Sequence, residues 1–407
     1  MSAKSNRMIK KLFLFHLIPF TLAGLLICGA LIWISACTAT YRGSTYIISG
    51  EQVRTKGVYD NLIYGDQAEL DFIASLKNKN QLTIFGSSEF TDAPLCSYNF
   101  LPDSLGIQSL GIGHAHHQCF SILCELLAAS EYVAKSKICI VLSPSWFHTY
   151  GTNTEAFAEF VRPHFIEKIV HEKSIDNKYK IAIGKYIHEH RNEFTGISNG
   201  MAFLKDEYCL AEGNWLDFIN ASLHKKLVSM HQNSFPIQNI IYQPKLKNME
   251  RKEWVADKNK TMQGLQQTFL SSITTNKLYV NDEYYNLYVK DADGIEAIGE
   301  IKEIDFDNNQ ELEDFKLLVD LLVKKNANCS FVIQPINPYY YQYADRNIPL
   351  IDTLTKILDK HNLPYLNMYA PTKEAYDPGV LKDVMHLGDY GWMKINYFLD
   401  SLYYEHQ

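Results

Sequence analysis

Gln81-Leu-Thr-Ile-Phe-Gly-Ser-Ser-Glu-Phe90 joins a short, largely apolar run to a turn of small residues. A run of this length that stops at glycine predicts a buried strand followed by a tight turn. Lys137–Ser143 and Cys329–Gln334 have the same form and are each followed by proline, and Leu363–Tyr369 fits as a fourth strand. Continuous apolar runs suit strands that are covered on both faces of a parallel sheet.

Amphipathic helical patterns alternate with these runs. They cover 121–135, 311–325 and 350–360, and Trp392, Ile395, Leu399 and Leu402 mark a last helix. This alternation predicts a three-layer α/β/α sandwich with a mostly parallel sheet. The span from about 151 to 282 breaks the alternation, because it has helical patterns at 154–170, 180–191 and 259–270 but no clear apolar strand run. We interpret it as a helical insertion.

The N-terminal region has the pattern of a membrane anchor. Residues 12–36 contain no Asp, Glu, Lys or Arg, which predicts one transmembrane helix. Four basic residues precede this segment, and few basic residues follow it closely. This asymmetry predicts that residues 1–11 lie in the cytoplasm and that residues 37–407 form one extracytoplasmic domain. The basic residues are Lys4, Arg7, Lys10 and Lys11.

Three other interpretations of this region remain. A cleaved signal peptide usually has a shorter apolar segment. Ile34-Ser-Ala-Cys37 is similar to a bacterial lipobox, in which Cys37 would be the lipid acceptor. A buried helix of a soluble protein fits least well, because a helix that is apolar on all faces must be surrounded by protein. All but the last place the remainder of the chain outside the cytoplasm.

Composition argues against several classes of function. The net charge of −7 lacks the basic excess that nucleic-acid binding needs, so we expect no nucleic-acid partner. The eight cysteines are scattered without a Cys-x-x-Cys pair, so we expect no zinc site and assign no disulfide. Cys139 and Cys329 lie in apolar runs, where a small buried side chain is the common role.

Two short motifs could carry chemistry together. Ser88 follows the first strand, and polar groups at the carboxyl ends of strands in an open α/β sheet meet in one crevice. A serine hydroxyl needs a base that takes its proton, and Asp383-Val-Met-His386 offers a histidine with a carboxylate three positions before it. Taken alone, each motif is weak, because Gly-Ser-Ser often forms only a turn or helix cap and Asp-x-x-His is a common surface pair.

The order of the motifs resembles the SGNH (GDSL-like) superfamily and, within it, the DltD family, the membrane-anchored proteins of the D-alanylation pathway for teichoic acids. That superfamily ends its first strand with Gly-x-Ser and closes with Asp-x-x-His. Beside the N-terminal membrane segment, the resemblance rests on Phe85-Gly-Ser-Ser-Glu-Phe90, Ser143-Pro-Ser-Trp-Phe147, Gln334-Pro-Ile-Asn337 and Asp383-Val-Met-His-Leu-Gly388.

The resemblance implies an SGNH-like fold with Ser88 as nucleophile, His386 as base and Asp383 as its partner, and with Ser87 in support. It also implies an oxyanion hole from the nucleophile's own N–H, a glycine of a second block and a side-chain amide of a third. For the glycine, Gly113 is slightly favoured over Gly111. The superfamily's asparagine is missing from Ser143-Pro-Ser-Trp-Phe147, and Gln118 is a substitute chosen by position only.

Other residues near these motifs have open roles. Glu89, Trp146 and Asn337 are candidates for substrate binding, although Trp146 fits a crevice wall or core and Asn337 fits a strand-terminating turn equally well. His114, His116 and His117 suggest metal binding, but no Cys or carboxylate stands at the usual spacing and a loop beside the crevice explains them as well. We expect no metal and no cofactor.

The function that the resemblance implies is acyl transfer. Ser88 would take an activated D-alanyl group and pass it, or help pass it, to a hydroxyl of a teichoic-acid-type polymer. The implied partners are a polytopic membrane O-acyltransferase, a D-alanyl carrier protein and the polymer itself. An acyl or acetyl esterase or transferase for an exopolysaccharide, a thioesterase acting on the carrier, and a non-catalytic membrane-tethered assembly partner remain as alternatives.

Overall fold

The computed structural model describes residues 71–90, 95–148, 151–161, 172–190, 250–254, 257–291 and 293–404, with shorter pieces at 23–24, 45–52, 58–59, 165–166, 168–169, 193 and 239–245. Nearly all of the predicted anchor at 12–36 lies outside these residues, as do residues 1–11 and Cys37. Within the part that is described, no helix combines the length and the apolar character needed to cross a membrane.

A central sheet of six parallel strands has the order β10-β8-β5-β3-β4-β2. The four strands predicted from apolar runs are confirmed as β3, β5, β8 and β10. Strands β2 and β4 are not among the predicted strands. Strand β2 has only two residues, and β4 has four, one of them glycine, so neither forms a recognisable apolar run. The bounds are β2 (Val58–Tyr59), β3 (Leu82–Phe85), β4 (Ser109–Ile112), β5 (Lys137–Leu142), β8 (Asn328–Ile333) and β10 (Tyr365–Asn367).

Helices cover both faces of this sheet, which confirms the three-layer α/β/α prediction. On one face, α1 (Ser97–Leu105) and α10 (Asp389–Tyr403) pack over Leu82 and Ile84 in a shared apolar core that includes Trp392. On the other face, Phe72 of the helical segment 71–77 contacts Phe85. Helix α8 (Gln310–Lys324) packs against α2 (Cys119–Ala128), and its Phe315 contacts Phe331 of β8. Alternate residues of a strand point to opposite faces, which divides the apolar side chains between the two cores.

The structure describes further helices and strands besides the central sheet and the helices named above. Helices α4, α5 and α6 occur in the predicted insertion, but the insertion also contains β6, which pairs with β1 in a two-stranded sheet. The short strands β7 and β9 pair in parallel. The bounds are α3 (Ser130–Val133), α4 (Thr154–Phe160), α5 (Asn177–Glu189), α6 (Lys258–Ser271), α7 (Asp282–Tyr284), α9 (Ile348–Lys360), β1 (Thr45–Gln52), β6 (Asn239–Lys245), β7 (Gly299–Glu300) and β9 (Tyr341–Gln342).

Two compact units divide the chain. Met1–Glu51 and Phe203–Pro244 form one unit, which contains most of β1 and β6. Gln52–Ala202 and Lys245–Gln407 form the other, which contains the parallel sheet and its helices. All candidate site residues belong to the second unit.

The strand order places a topological switch point between β3 and β5. The chain leaves β3 toward β4 on one side, whereas it leaves β5 toward β8 on the other side. Adjacent parallel strands whose connections diverge in this way form a topological switch point, where ligands of open α/β sheets bind. The turns after β3 and β5 therefore border the position in the sheet where a site is expected.

Candidate functional site

The turn after β3 contains two serines in different environments. The N–H of Gly86 still donates to the Ile112 carbonyl at 3.2 Å, and the chain then turns, closed by the Phe90 N–H on the Ser87 carbonyl at 3.1 Å. Ser87 is buried, whereas Ser88 is partly exposed. Solvent or a substrate can therefore reach Ser88 more readily than its neighbour.

Asp383 and His386 form a hydrogen-bonded pair in the loop before α10. Asp383 Oδ1 accepts the backbone N–H groups of Met385 at 2.9 Å and His386 at 2.7 Å, and Oδ2 lies 2.9 Å from His386 Nδ1. The Asp383 side chain is 4% exposed and that of His386 is 23% exposed. The carboxylate thus orients the imidazole from its buried side.

One backbone hydrogen bond within this loop and two from other segments hold it in place. The Lys382 N–H donates to the His386 carbonyl at 2.9 Å, the Asn281 N–H donates to the Lys382 carbonyl at 2.9 Å, and the Asn337 N–H donates to the Val384 carbonyl at 3.2 Å. Asn337 is fully buried, and its side-chain amide donates to the Leu278 carbonyl at 2.8 Å. Its side chain supports the loop from within.

Glu89 is a buried carboxyl group in the turn after β3. Its Oε1 accepts the Ser87 N–H at 2.6 Å. Burial raises the Glu89 pKa to about 7, and the backbone N–H groups near its carboxylate oppose that rise, as do His386 and His117 to a smaller extent. Glu89, next to Ser88, is thus within electrostatic range of His386.

The two glycines proposed for the second block occupy different positions. Gly111 lies within β4, where it is paired with Ile84 of β3 and Val58 of β2. Gly113 lies just past the strand, so close to the turn that an added Cβ would be 2.0 Å from the Gly86 carbonyl oxygen. Any larger side chain at position 113 would push the turn away.

Ser143–His148, directly after β5, contains no amide side chain. The hydroxyls of Ser143 and Ser145 lie 2.7 Å apart and form a hydrogen bond there. Trp146 is 5% exposed in the short 3₁₀ helix Pro144–His148, and Gln118 is buried immediately before α2.

The three neighbouring histidines do not act as one group. His117 is completely buried and pairs with Glu125 at 2.8 Å, whereas His114 and His116 are both exposed. Among the residues placed by the structure, no cluster of three or more His, Cys, Asp or Glu side chains could hold a metal ion. The sequence alone does not predict the His117–Glu125 pair, because Glu125 is eight positions after His117. The two side chains meet only because α2 folds Glu125 toward His117.

A cleft of about 580 Å³ lies near the C-terminal loop. Tyr341 lines it, and Tyr341 also packs in the small apolar cluster that contains Val384 and Met385. Burial, together with nearby groups that include Asp383, raises the Tyr341 pKa. The other lining residues are Ile298, Pro338, Tyr339, Gln342, Tyr343, Ala344, Asp345, Pro371, Thr372 and Lys373.

The fold and the site define a class of protein: an α/β/α sandwich on a parallel sheet, with a serine turn and an Asp–His pair at the carboxyl ends of the strands. The sequence model of the DltD protein family matches residues 72–403, and the chain belongs to that family. The resemblance inferred from the motifs is thereby confirmed.

Two relatives show how far the similarity extends. Protein DltD of Bacillus subtilis (strain 168) is 22% identical over 403 residues, which cover 95% of this chain and 96% of that protein. Protein DltD of Staphylococcus aureus (strain NCTC 8325 / PS 47) is 22% identical over 279 residues, which cover 66% of each chain.

Proposed function

We propose that this chain is a membrane-anchored serine acyl-transfer protein that assists D-alanine ester transfer to a teichoic-acid-type polymer such as lipoteichoic acid. The observation that carries the proposal is the 2.9 Å hydrogen bond from His386 Nδ1 to the buried Asp383, with His386 within electrostatic range of Glu89, the residue next to Ser88. Family membership supports the pathway, and the geometry supports the serine chemistry.

In the proposed reaction, Ser88 Oγ attacks the carbonyl carbon of an activated D-alanyl ester or thioester. His386 Nε2 takes the hydroxyl proton and gives it to the departing alcohol or thiol, which leaves D-alanine esterified to Ser88. A polymer hydroxyl then attacks this ester, and its proton passes through His386 back to Ser88 Oγ. Asp383 keeps the imidazole oriented throughout, and the N–H groups of Ser88 and Gly113 are the proposed donors to the oxyanion.

The proposed partners follow from this chemistry. A polytopic membrane O-acyltransferase and a D-alanyl carrier protein on the cytoplasmic side would supply the activated group, and the envelope polymer would receive it. The apolar stretch at 12–36 would anchor the chain, with the sandwich outside. The tyrosine-lined cleft near Asp383 would hold a segment of the acceptor, because tyrosine rings offer both an apolar face and a hydroxyl.

The serine chemistry is tested with a fluorophosphonate probe, which reacts covalently with activated serines. Ser88→Ala and His386→Ala should each abolish labelling of the full chain, because one removes the nucleophile and the other its base. Matched controls are Ser104→Ala, at an exposed site on α1, and His361→Ala, just past α9. Both controls should be labelled as the wild type is. Equal labelling of wild type and His386→Ala, or labelling of neither, would instead support a non-catalytic assembly role.

The acyl group is tested separately in cells. Mass spectrometry of the envelope polymer should show that D-alanine ester content falls when Ser88→Ala replaces the wild type. Unchanged D-alanine with altered acetyl content on an exopolysaccharide would contradict the pathway and leave the serine chemistry in place.

A further inference from the structure

His117 is buried directly behind the turn that contains Ser88. Its Nδ1 lies 3.1 Å from the Gly86 carbonyl oxygen, and its Nε2 lies 2.8 Å from Glu125 Oε2. The imidazole also stacks on the Phe160 ring, with centroids 4.0 Å apart. The ring is therefore held by a carboxyl group on one side, an aromatic ring on its face and the first peptide of the turn on the other side.

The hydrogen-bond chemistry requires a proton on His117 Nδ1. A backbone carbonyl oxygen only accepts, so the contact with Gly86 needs an N–H from the ring. On the opposite side, Nε2 and Glu125 Oε2 form a second hydrogen bond at 2.8 Å, so both nitrogens of the fully buried ring have partners.

The same peptide group is also held at its other end. The Gly86 carbonyl and the Ser87 N–H belong to one peptide plane, and that N–H donates to Glu89 Oε1 at 2.6 Å. A flip of this plane would turn the carbonyl oxygen toward the Glu89 carboxyl group and the N–H toward the His117 N–H. Both new contacts would be repulsive or unpaired in a buried site.

We propose that His117, Glu125 and Glu89 are positioning residues. They hold the Gly86–Ser87 peptide plane in one orientation, like a clamp, and so fix the orientation of the Ser88 side chain. This inference rests on the proposed function of Ser88. None of the three needs to touch the substrate. Their effect reaches the reaction through the orientation of the nucleophile relative to His386, and small errors in such an orientation cost large factors in rate.

The clamp is tested with paired variants of the full chain. His117→Leu removes the hydrogen bonds to the Gly86 carbonyl and to Glu125, and Glu89→Leu removes the one to the Ser87 N–H. By contrast, His117→Asn keeps an N–H near the position of Nδ1, and Glu89→Gln keeps an acceptor for Ser87. Phe157→Leu is the control for lost packing, because Phe157 lies on α4 with Phe160 but contacts the rings of Phe120 and Tyr186.

Two measurements separate positioning from general stability. Hydrogen–deuterium exchange of residues 82–90 should become faster in the two leucine variants than in Phe157→Leu. The maximum rate of fluorophosphonate labelling should fall at least about tenfold in the leucine variants, with the half-saturating probe concentration unchanged, and should recover in His117→Asn and Glu89→Gln.

Exchange and labelling rates in the leucine variants that equal those of Phe157→Leu would overturn the clamp. A wild-type chain that takes no label at all would contradict the proposed serine chemistry. Exchange at residues 82–90 would still decide in that case whether the clamp exists, so the two failures are distinguishable.

Discussion

At the residue scale, the Asp383 carboxylate makes three hydrogen bonds with only two oxygens. One oxygen accepts two backbone N–H groups, and the other accepts His386 Nδ1. The carboxylate therefore shapes the loop and orients the imidazole at the same time. A change that preserves the shape but alters the donor pattern should separate these two contributions.

Asp383→Asn is such a change. The amide oxygen can still accept the two backbone N–H groups, but its NH₂ would face His386 Nδ1 and favour the wrong tautomer. We expect the labelling rate to fall about 10³- to 10⁴-fold, the loss that this change causes in a known Ser-His-Asp triad. The midpoint of thermal unfolding should change little by comparison. A labelling rate within about tenfold of the wild type would show that Asp383 does not orient the base.

Gly113, just past β4, closely approaches the turn that contains Ser88. An alanine Cβ would lie 2.0 Å from the Gly86 carbonyl oxygen, so Gly113→Ala should lower the free energy of unfolding by about 1–3 kcal/mol and strongly reduce labelling. Gly264→Ala is the matched control, because no atom lies within 4 Å of its added Cβ in helix α6. That variant should be stabilised by about 0.5–1 kcal/mol and be labelled normally. Denaturant titration would contradict the expectation if both variants behaved alike.

At the element scale, helices α2 and α8 are joined by a buried carboxyl group. Glu311 of α8 accepts the N–H of Cys119, the first residue of α2, at 2.9 Å. Burial raises the Glu311 pKa from 4.5 to about 7, although this hydrogen bond opposes the rise. Glu311 thus supplies a hydrogen-bond acceptor to the N-terminus of α2, but burial disfavours the ionised form of its carboxyl group.

This pKa predicts how stability changes with pH. Between about pH 4.5 and 7 the unfolded chain loses the Glu311 proton while the folded protein keeps it, so the free energy of unfolding falls as pH rises through that window. Glu311→Gln keeps an oxygen for Cys119 and removes the ionisation. Relative to wild type, the variant should gain about 3 kcal/mol between pH 5 and pH 8.

Glu313→Gln on the same helix is the matched control for Glu311→Gln. Glu313 is exposed, and its substitution should leave the pH dependence of stability as it is in wild type. Denaturant titrations at both pH values provide the measurement. Parallel pH curves for wild type and Glu311→Gln would contradict the assigned role of burial.

At the scale of the whole molecule, the decisive expectation is the side of the membrane on which the sandwich lies. A membrane-impermeant maleimide should label Ser104→Cys on intact cells, because Ser104 is exposed on α1. The five described cysteines are buried thiols, and wild type supplies the background for the rest of the chain. Ser5→Cys, before the predicted anchor, should react only after lysis. Labelling of Ser104→Cys only after lysis would place the sandwich in the cytoplasm.

Much of the fold was predictable because its signals are local. The apolar runs that became β3, β5 and β8 are continuous, and the pattern that became α8 repeats at helical spacing. Strand β4 was missed because Ser109-Leu-Gly-Ile112 is short and contains glycine. It forms a strand only because β2 and β3 supply backbone partners on both sides.

The sequence by itself determined the layered class, the family and the residues Ser88, Asp383 and His386 as candidates, because their motifs are short and contiguous. Only the tertiary structure decided that His117 pairs with Glu125 and that His117 and Glu89 both bond to the Gly86–Ser87 peptide group. Those relations depend on distances between segments far apart in the chain. The order of the strands in the sheet determines such distances, and a local sequence pattern does not predict that order.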